Sequence, residues 1–138
     1  MELRRGRHSV TSLTVHLVFV CKRRASMLSS RHLIVLERSF RKVCEDFGAT
    51  LVEFNGEANH VHLLVDYLPK HSVSGLVNSL KGVSSRRLKQ AFPALAKRWP
   101  MNVSKGALWE PSYFGCSVGG APIKELRKYI EEQNRPEK

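Results

Sequence analysis

Hydrophobic and polar positions along this chain repeat with two periods, and the periods change over in a regular order. From Thr11 to Cys21 the period is two. Leu13, Val15, Leu17, Phe19 and Cys21 alternate with Thr14, His16, Val18 and Val20. That alternation, rich in β-branched residues, predicts a strand. Ser29 and Ser30 then offer a helix N-cap. Behind them Leu33, Leu36, Phe40, Val43 and Phe47 recur at three- and four-residue steps, which predicts an amphipathic helix. Gly48 is placed to end it. Thr50 to Asn55 alternates again as a second strand, with Gly56 in a turn, and a third strand covers about residues 59–68. The connection is short, so these two strands should form an antiparallel hairpin.

Pro69 stops the third strand, and Ser72 can cap a second helix whose buried stripe is Val73, Leu76, Val77, Leu80 and Leu88. Residues 93–107, with Pro93, Pro100, Asn102 and Gly106, read as a loop. Leu108 to Val118 reads as a last strand, bent or begun anew at Pro111. Gly119-Gly120 breaks the pattern, and Pro122 fits the first turn of a helix running from Ile123 to about Asn134. The order is β-α-β-β-α-β with a helix behind it. This predicts an α+β, ferredoxin-like sheet with an appended C-terminal helix. Two helices should cover one sheet face and leave the other for the third helix or a ligand. With no internal repeat and no low-complexity linker, residues 1–138 are expected to form one domain. Residues 1–10 would be a basic arm and 121–135 the terminal helix.

Charge narrows the partner. The chain carries 23 Lys and Arg against 12 Asp and Glu, a net +11. So large an excess on a small domain points to a polyanion, most often nucleic acid. An anionic membrane is the rival, but no long basic amphipathic helix stands out and no apolar run is long enough to span a bilayer. No apolar stretch directly follows the basic N-terminus, so no secretion signal is expected. Cys21, Cys44 and Cys116 are widely spaced and odd in number. That fits a reducing compartment, the cytoplasm, and argues against a disulfide framework. Lys22, Arg23 and Arg24 sit where the first strand ends and read as phosphate contacts or as a solvated strand end. Lys81, Arg86, Arg87 and Lys89 are interleaved with Ser84 and Ser85. That mixture suits a phosphate backbone, with a solvated helix face as the alternative. Trp109 and Tyr113 offer faces on which bases could stack, or ordinary packing.

The candidate chemistry starts at Asn59-His60-Val61-His62-Leu63-Leu64-Val65-Asp66. Along a strand, His60, His62, Leu64 and Asp66 share one face, and Val61, Leu63, Val65 and Tyr67 share the apolar other. The two imidazoles then stand roughly 7 Å apart along the chain. They can hold one divalent cation, or be two half-exposed histidines. His16 lies on the more polar face of its strand, within reach of the pair or simply structural. On the terminal helix Tyr129 and Gln133 are four apart and share a face. Ordinary packing is the plain reading of that pair.

These features together resemble the HUH-type single-tyrosine transposases of small bacterial insertion sequences, of the IS200/IS605 type. The resemblance runs through nearly the whole chain. It rests on His16-Leu17-Val18-Phe19 with Lys22-Arg23-Arg24 behind, on His60-Val61-His62-Leu63-Leu64-Val65, and on Val77 to Leu88. It extends to Trp109, Ser112-Tyr113-Phe114, and Val118-Gly119-Gly120 ahead of Lys128-Tyr129-Ile130-Glu131-Glu132-Gln133. Cys21 stands where a threonine is often found. The longer transposases associated with repeated extragenic palindromes share the histidine motif. The resemblance implies that His60 and His62 bind Mg²⁺ or Mn²⁺, with Gln133 as third ligand. It also implies that Tyr129 is the nucleophile forming a 5′-phosphotyrosine on single-stranded DNA with hairpin ends. It further implies a homodimer in which the tyrosine helix reaches the partner's histidines, with no nucleotide cofactor. Two other classes are weighed against it: a single-stranded nucleic-acid-binding module without catalysis, and a metal-dependent hydrolytic nuclease.

Overall fold

The computed structural model describes residues 13–97 and 108–117. In chain order these form β1 (Leu13–Val20), a 3-10 turn (Lys22–Arg24), α1 (Ser30–Asp46), β2 (Thr50–Gly56), β3 (His60–Tyr67), α2 (Val73–Ala91), a short α3 (Pro93–Lys97) and β4 (Phe114–Ser117). The four strands make one antiparallel sheet in the order β2-β3-β1-β4. This is the expected ferredoxin-like arrangement. The expected terminal helix, with Tyr129 and Gln133, lies outside the described residues, as does the basic arm of residues 1–10.

One face of the sheet carries the core. Val15, Leu17 and Phe19 of β1 and Val61, Leu63 and Val65 of β3 meet Leu36, Phe40 and Val43 of α1. Leu76, Val77, Leu80 and Leu88 of α2 complete the layer. Each of these positions was visible in the periodicity, because burying a stripe from each helix on an alternating strand is what stabilises such a layer. Phe19, Phe40, Phe54 and Trp109 pack their rings at its centre, with Phe19 and Phe40 edge to face at 5.9 Å. Gly48 takes φ +68 and closes α1, a conformation that costs glycine little. At Gly56 a Cβ would run into the Leu33 side chain, which would have to turn aside, so α1 packs closely on the hairpin there.

Four local expectations are corrected. Pro93–Lys97 is a short helix rather than loop, with Leu95 buried. Among the described residues the last strand begins only at Phe114 and is seen as Phe114–Ser117, and Trp109 makes only an isolated bridge to Cys21. Pro111 explains the interruption, since it has no N–H to give a ladder. Simple alternation fails in β2, where the pairing shifts between Leu51 and Glu53. Leu51 pairs with Val65 and Phe54 with Leu63 on the core face, while Glu53 and Asn55 pair with Leu64 and His62 on the other. One extra residue, Val52, makes the difference. Finally, Ser84 is fully buried, its hydroxyl accepting from Trp109 Nε1 at 3.0 Å and donating to the Lys81 carbonyl. It belongs to the core side of α2 and not to a phosphate-facing row. None of the described helices is long and apolar enough to cross a membrane.

Candidate metal and nucleic-acid site

The second sheet face holds the histidines. Register places Val18 opposite His62, Val20 opposite His60, and His16 opposite Leu64. His16 is thus diagonal to His62, and their rings meet edge to face at 5.6 Å. His60 and His62 stand closer than their spacing along the chain suggests, with ring centroids 5.0 Å apart. The middle of this face is closed: Thr14, His16, Val18, Leu64 and Asp66 are all buried. It opens toward His60 and His62, which are only half-buried, beside exposed Asn55. The expectation was that this face is left for the third helix or a ligand, and that helix lies outside the described residues.

Burial sets the protonation state. Desolvation lowers the pKa of His62 to about 4, helped by the nearby His60 and His16. Desolvation also lowers His60, against the opposing pull of Glu57. His16 falls to about 4 for the same reason, with Glu53 pulling the other way. All three imidazoles are neutral at pH 7, the form that has a lone pair to give. His60 Nδ1 lies 2.7 Å from Asn59 Oδ1, and an amide oxygen can only accept. The donor chemistry therefore fits a divalent cation. Among the described residues no group of three His, Cys, Asp or Glu side chains gathers as a complete metal site. A cation held by His60 and His62 would take a third ligand from another residue type or from outside the described residues, where Gln133 lies.

The hairpin turn that leads into His60 is held from the neighbouring strand end. Cys21 N–H donates to the Asn59 carbonyl at 2.8 Å, and the N–H groups of Met27 and Leu28 both donate to the Ala58 carbonyl. The same stretch carries the basic triplet. Lys22 N–H donates to the Leu108 carbonyl, and Arg23 N–H donates to the Glu110 carboxylate. Arg23 and Arg24 take φ of 57 and 56, the left-handed region that side chains rarely enter. Their side chains are exposed, at the same end of the sheet as His60.

The other expected phosphate contacts are placed differently. Arg86, Arg87 and Lys89 are exposed on α2, in the layer that covers the core face. Arg87 shares a groove with Arg38 of α1. Lys81 departs from that row. Its ammonium donates to the carbonyls of Glu110 at 2.6 Å and Pro111 at 3.0 Å, anchoring the segment that enters β4. Desolvation lowers its pKa, with Glu110 raising it and Lys22 lowering it. Trp109 is 4% exposed and cannot present a face to a base, whereas Tyr113 is exposed. Sequence reasoning did not single out Asn59. Its only signal was its place immediately before the first histidine.

Comparison with known proteins places these features in context. The family model described as "Transposase IS200 like" matches residues 9–133. The ISDra2 transposase TnpA of Deinococcus radiodurans is 31% identical over 138 residues, covering 99% of this chain and 95% of that one. A crystal structure from Deinococcus radiodurans described as a transposase superposes with a TM-score of 0.76 at 32% identity, covering 95% of this chain and 98% of that one. A REP-associated tyrosine transposase bound to a REP hairpin superposes with a TM-score of 0.58 at 14% identity, covering 95% of this chain and 69% of that one, a likeness of fold alone.

Proposed function

The chain belongs to the IS200-like transposase family, and on that premise we propose that it cleaves and rejoins single-stranded DNA at insertion-sequence ends through a 5′-phosphotyrosine on Tyr129. The observation that carries this reading is the neutral His60–His62 pair at the open end of the sheet, with Arg23 and Arg24 exposed at the same end. His60, His62 and Gln133 would hold Mg²⁺ or Mn²⁺, which when bound polarises a phosphate and neutralises charge as it develops. The phenolic oxygen of Tyr129 attacks phosphorus, the bond to the 3′ oxygen breaks, and that oxygen leaves as a 3′-OH. Phosphoester energy is conserved, so a later 3′-OH can displace the tyrosine and join strands without a nucleotide cofactor. Lys22, Arg23, Arg24, Arg86, Arg87 and Lys89 supply the electrostatic grip on DNA with hairpin ends. The work is done in the cytoplasm of the bacterial or archaeal host.

A homodimer with shared sites completes the proposal. What supports it is the position of β4 at an edge of the sheet, where a second copy can add its own edge across a twofold axis. The test is incubation with single-stranded DNA from the flanks of the host locus, looking for an SDS-stable adduct. Wild type should form it with Mg²⁺ or Mn²⁺. Tyr129→Phe, His60→Ala, His62→Ala and EDTA should each abolish it, and Gln133→Ala should weaken it less. Strand cleavage without any adduct would support the hydrolytic nuclease instead, and binding without cleavage the passive module. Mixing Tyr129→Phe with the double variant His60→Ala/His62→Ala should restore single cleavage if sites are shared. Inactive heterodimers would refute sharing.

A further inference from the structure

Asn59 does two things with its two carbonyl groups. Its backbone oxygen accepts from Cys21 N–H at 2.8 Å, which ties the hairpin turn to the end of β1. Its side-chain oxygen lies 2.7 Å from His60 Nδ1. The backbone bond fixes where the side chain starts, so the amide oxygen approaches the imidazole from a defined direction. A second brace sits one residue earlier, where the Ala58 carbonyl takes the N–H groups of Met27 and Leu28. A third closes the turn itself, with Glu57 N–H donating to the His60 carbonyl at 2.8 Å. The residue holding His60 is thus itself held by both ends of the hairpin turn and by the chain leaving β1.

A neutral histidine can carry its proton on either nitrogen, and the hydrogen bond made by one nitrogen decides the state of the other. An acceptor facing Nδ1 draws the proton there and leaves Nε2 as the electron-pair donor. The partner also limits rotation of the ring about its χ2 torsion. Among the described residues, neither nitrogen of neighbouring His16 has a hydrogen-bond partner. The Asn59 contact is therefore a specific provision at His60 and not a common feature of this face.

We propose that Asn59 is a positioning residue that fixes His60 in its Nδ1–H tautomer and aims Nε2 for a divalent cation. This rests on the reading of His60 as a metal ligand given above. Outer partners of this kind typically change metal affinity by about 10–100-fold when removed.

The test uses the full chain in three forms: wild type, Asn59→Leu and Asn59→Asp. Leucine removes the acceptor and keeps the backbone bond to Cys21, and aspartate keeps an acceptor oxygen. Long-range ¹H–¹⁵N correlation spectra of the metal-free protein report which nitrogen of His60 is protonated. Titration with Mn²⁺, read by the EPR signal of the free ion, reports affinity without any DNA or turnover. Wild type and Asn59→Asp should show the Nδ1–H tautomer, and Asn59→Leu should lose it. Mn²⁺ affinity should fall at least about tenfold in Asn59→Leu and stay close to wild type in Asn59→Asp. A proton on Nε2 of His60 in wild type would overturn the proposal, because the amide would then be donating. Unchanged Mn²⁺ affinity in Asn59→Leu despite a changed tautomer would also overturn it. If wild type shows Nδ1–H but binds no Mn²⁺, the metal reading itself fails and the proposal goes with it. That result differs from the first two because the hydrogen bond would stand.

Discussion

His16 is 4% exposed, and neither of its ring nitrogens is hydrogen-bonded among the described residues. A buried polar group without a partner keeps its desolvation cost and gets nothing back. Phenylalanine of similar shape has no such cost. His16→Phe is therefore expected to raise stability by about 1–3 kcal/mol, read as a higher denaturant midpoint. The same burial predicts a pH dependence. His16 and His62 have folded pKa values of about 4 against 6.5 in the unfolded chain. Below 6.5 the unfolded chain takes up protons that the folded one refuses until about 4. Stability is full above 6.5, falls as pH drops toward 4, and falls no further from these groups below that. The loss is at most about 3 kcal/mol per histidine, less for the more exposed His62. Chemical denaturation from pH 7.5 to 4 in the absence of divalent cations should show it. His16→Phe should remove the His16 contribution and lessen that of His62, which His16 helps to lower. At this scale the sequence was informative about identity and uninformative about environment. It named His60 and His62, but nothing in it said that His16 would be stripped of partners or that Asn59 would supply one.

The elements were legible where a period ran unbroken. Leu36, Phe40 and Val43 of α1 and Leu76, Val77 and Leu80 of α2 are all buried as their spacing required. What escaped was set by tertiary context. The Val52 bulge breaks a period of two, and a bulge has no fixed residue signature. Ser84 looked polar and exposed until Trp109, distant in sequence, came to use its hydroxyl. The turn after β1 was legible only as charge, yet it carries backbone strain at Arg23 and Arg24. Left-handed φ at a side-chain-bearing residue costs roughly 1–2 kcal/mol. Asparagine enters that region more readily. Arg24→Asn should therefore hold or slightly raise the melting temperature while weakening single-stranded DNA binding and flattening its salt dependence. A variant that loses stability and keeps its affinity would mean that the arginine packs and does not bind. Holding two arginines in a costly conformation fits a segment shaped for contact with DNA.

At the scale of the whole molecule, the basic groups of the described residues gather in two places, the turn after β1 and the exposed side of α2. Arg23 and Arg24 accompany the histidines, and Arg86, Arg87 and Lys89 lie in the helical layer. A short strand held at the histidine end need not reach the second set. Triple replacement of Arg86, Arg87 and Lys89 by alanine should therefore weaken binding of longer, hairpin-bearing DNA by at least about tenfold, through the loss of phosphate contacts. It should alter binding of a short unstructured strand much less, and fluorescence anisotropy with the two probes would separate the cases. Equal loss on both probes would place all the contacts on one path. The overall sheet order followed from the element order alone, since the β-α-β-β-α-β pattern has few ways to close.

The bulge at Val52 also bears on how far copies of the chain can add to one another. Among the described residues the sheet has two outer strands, β2 and β4. Two equally regular edges would let molecules join head to tail without limit and grow into filaments. Here one edge is spoiled: the extra residue in β2 breaks the even row of N–H and C=O groups that another chain would need. The bulge leaves β4 as the more regular edge, so a dimer of the kind proposed above would pair through β4 and not through β2. Deleting Val52 would even out β2 while leaving Leu51 and Phe54 facing the core. Light scattering and electron microscopy should then find the deletion variant in larger, open-ended assemblies than the parent chain forms.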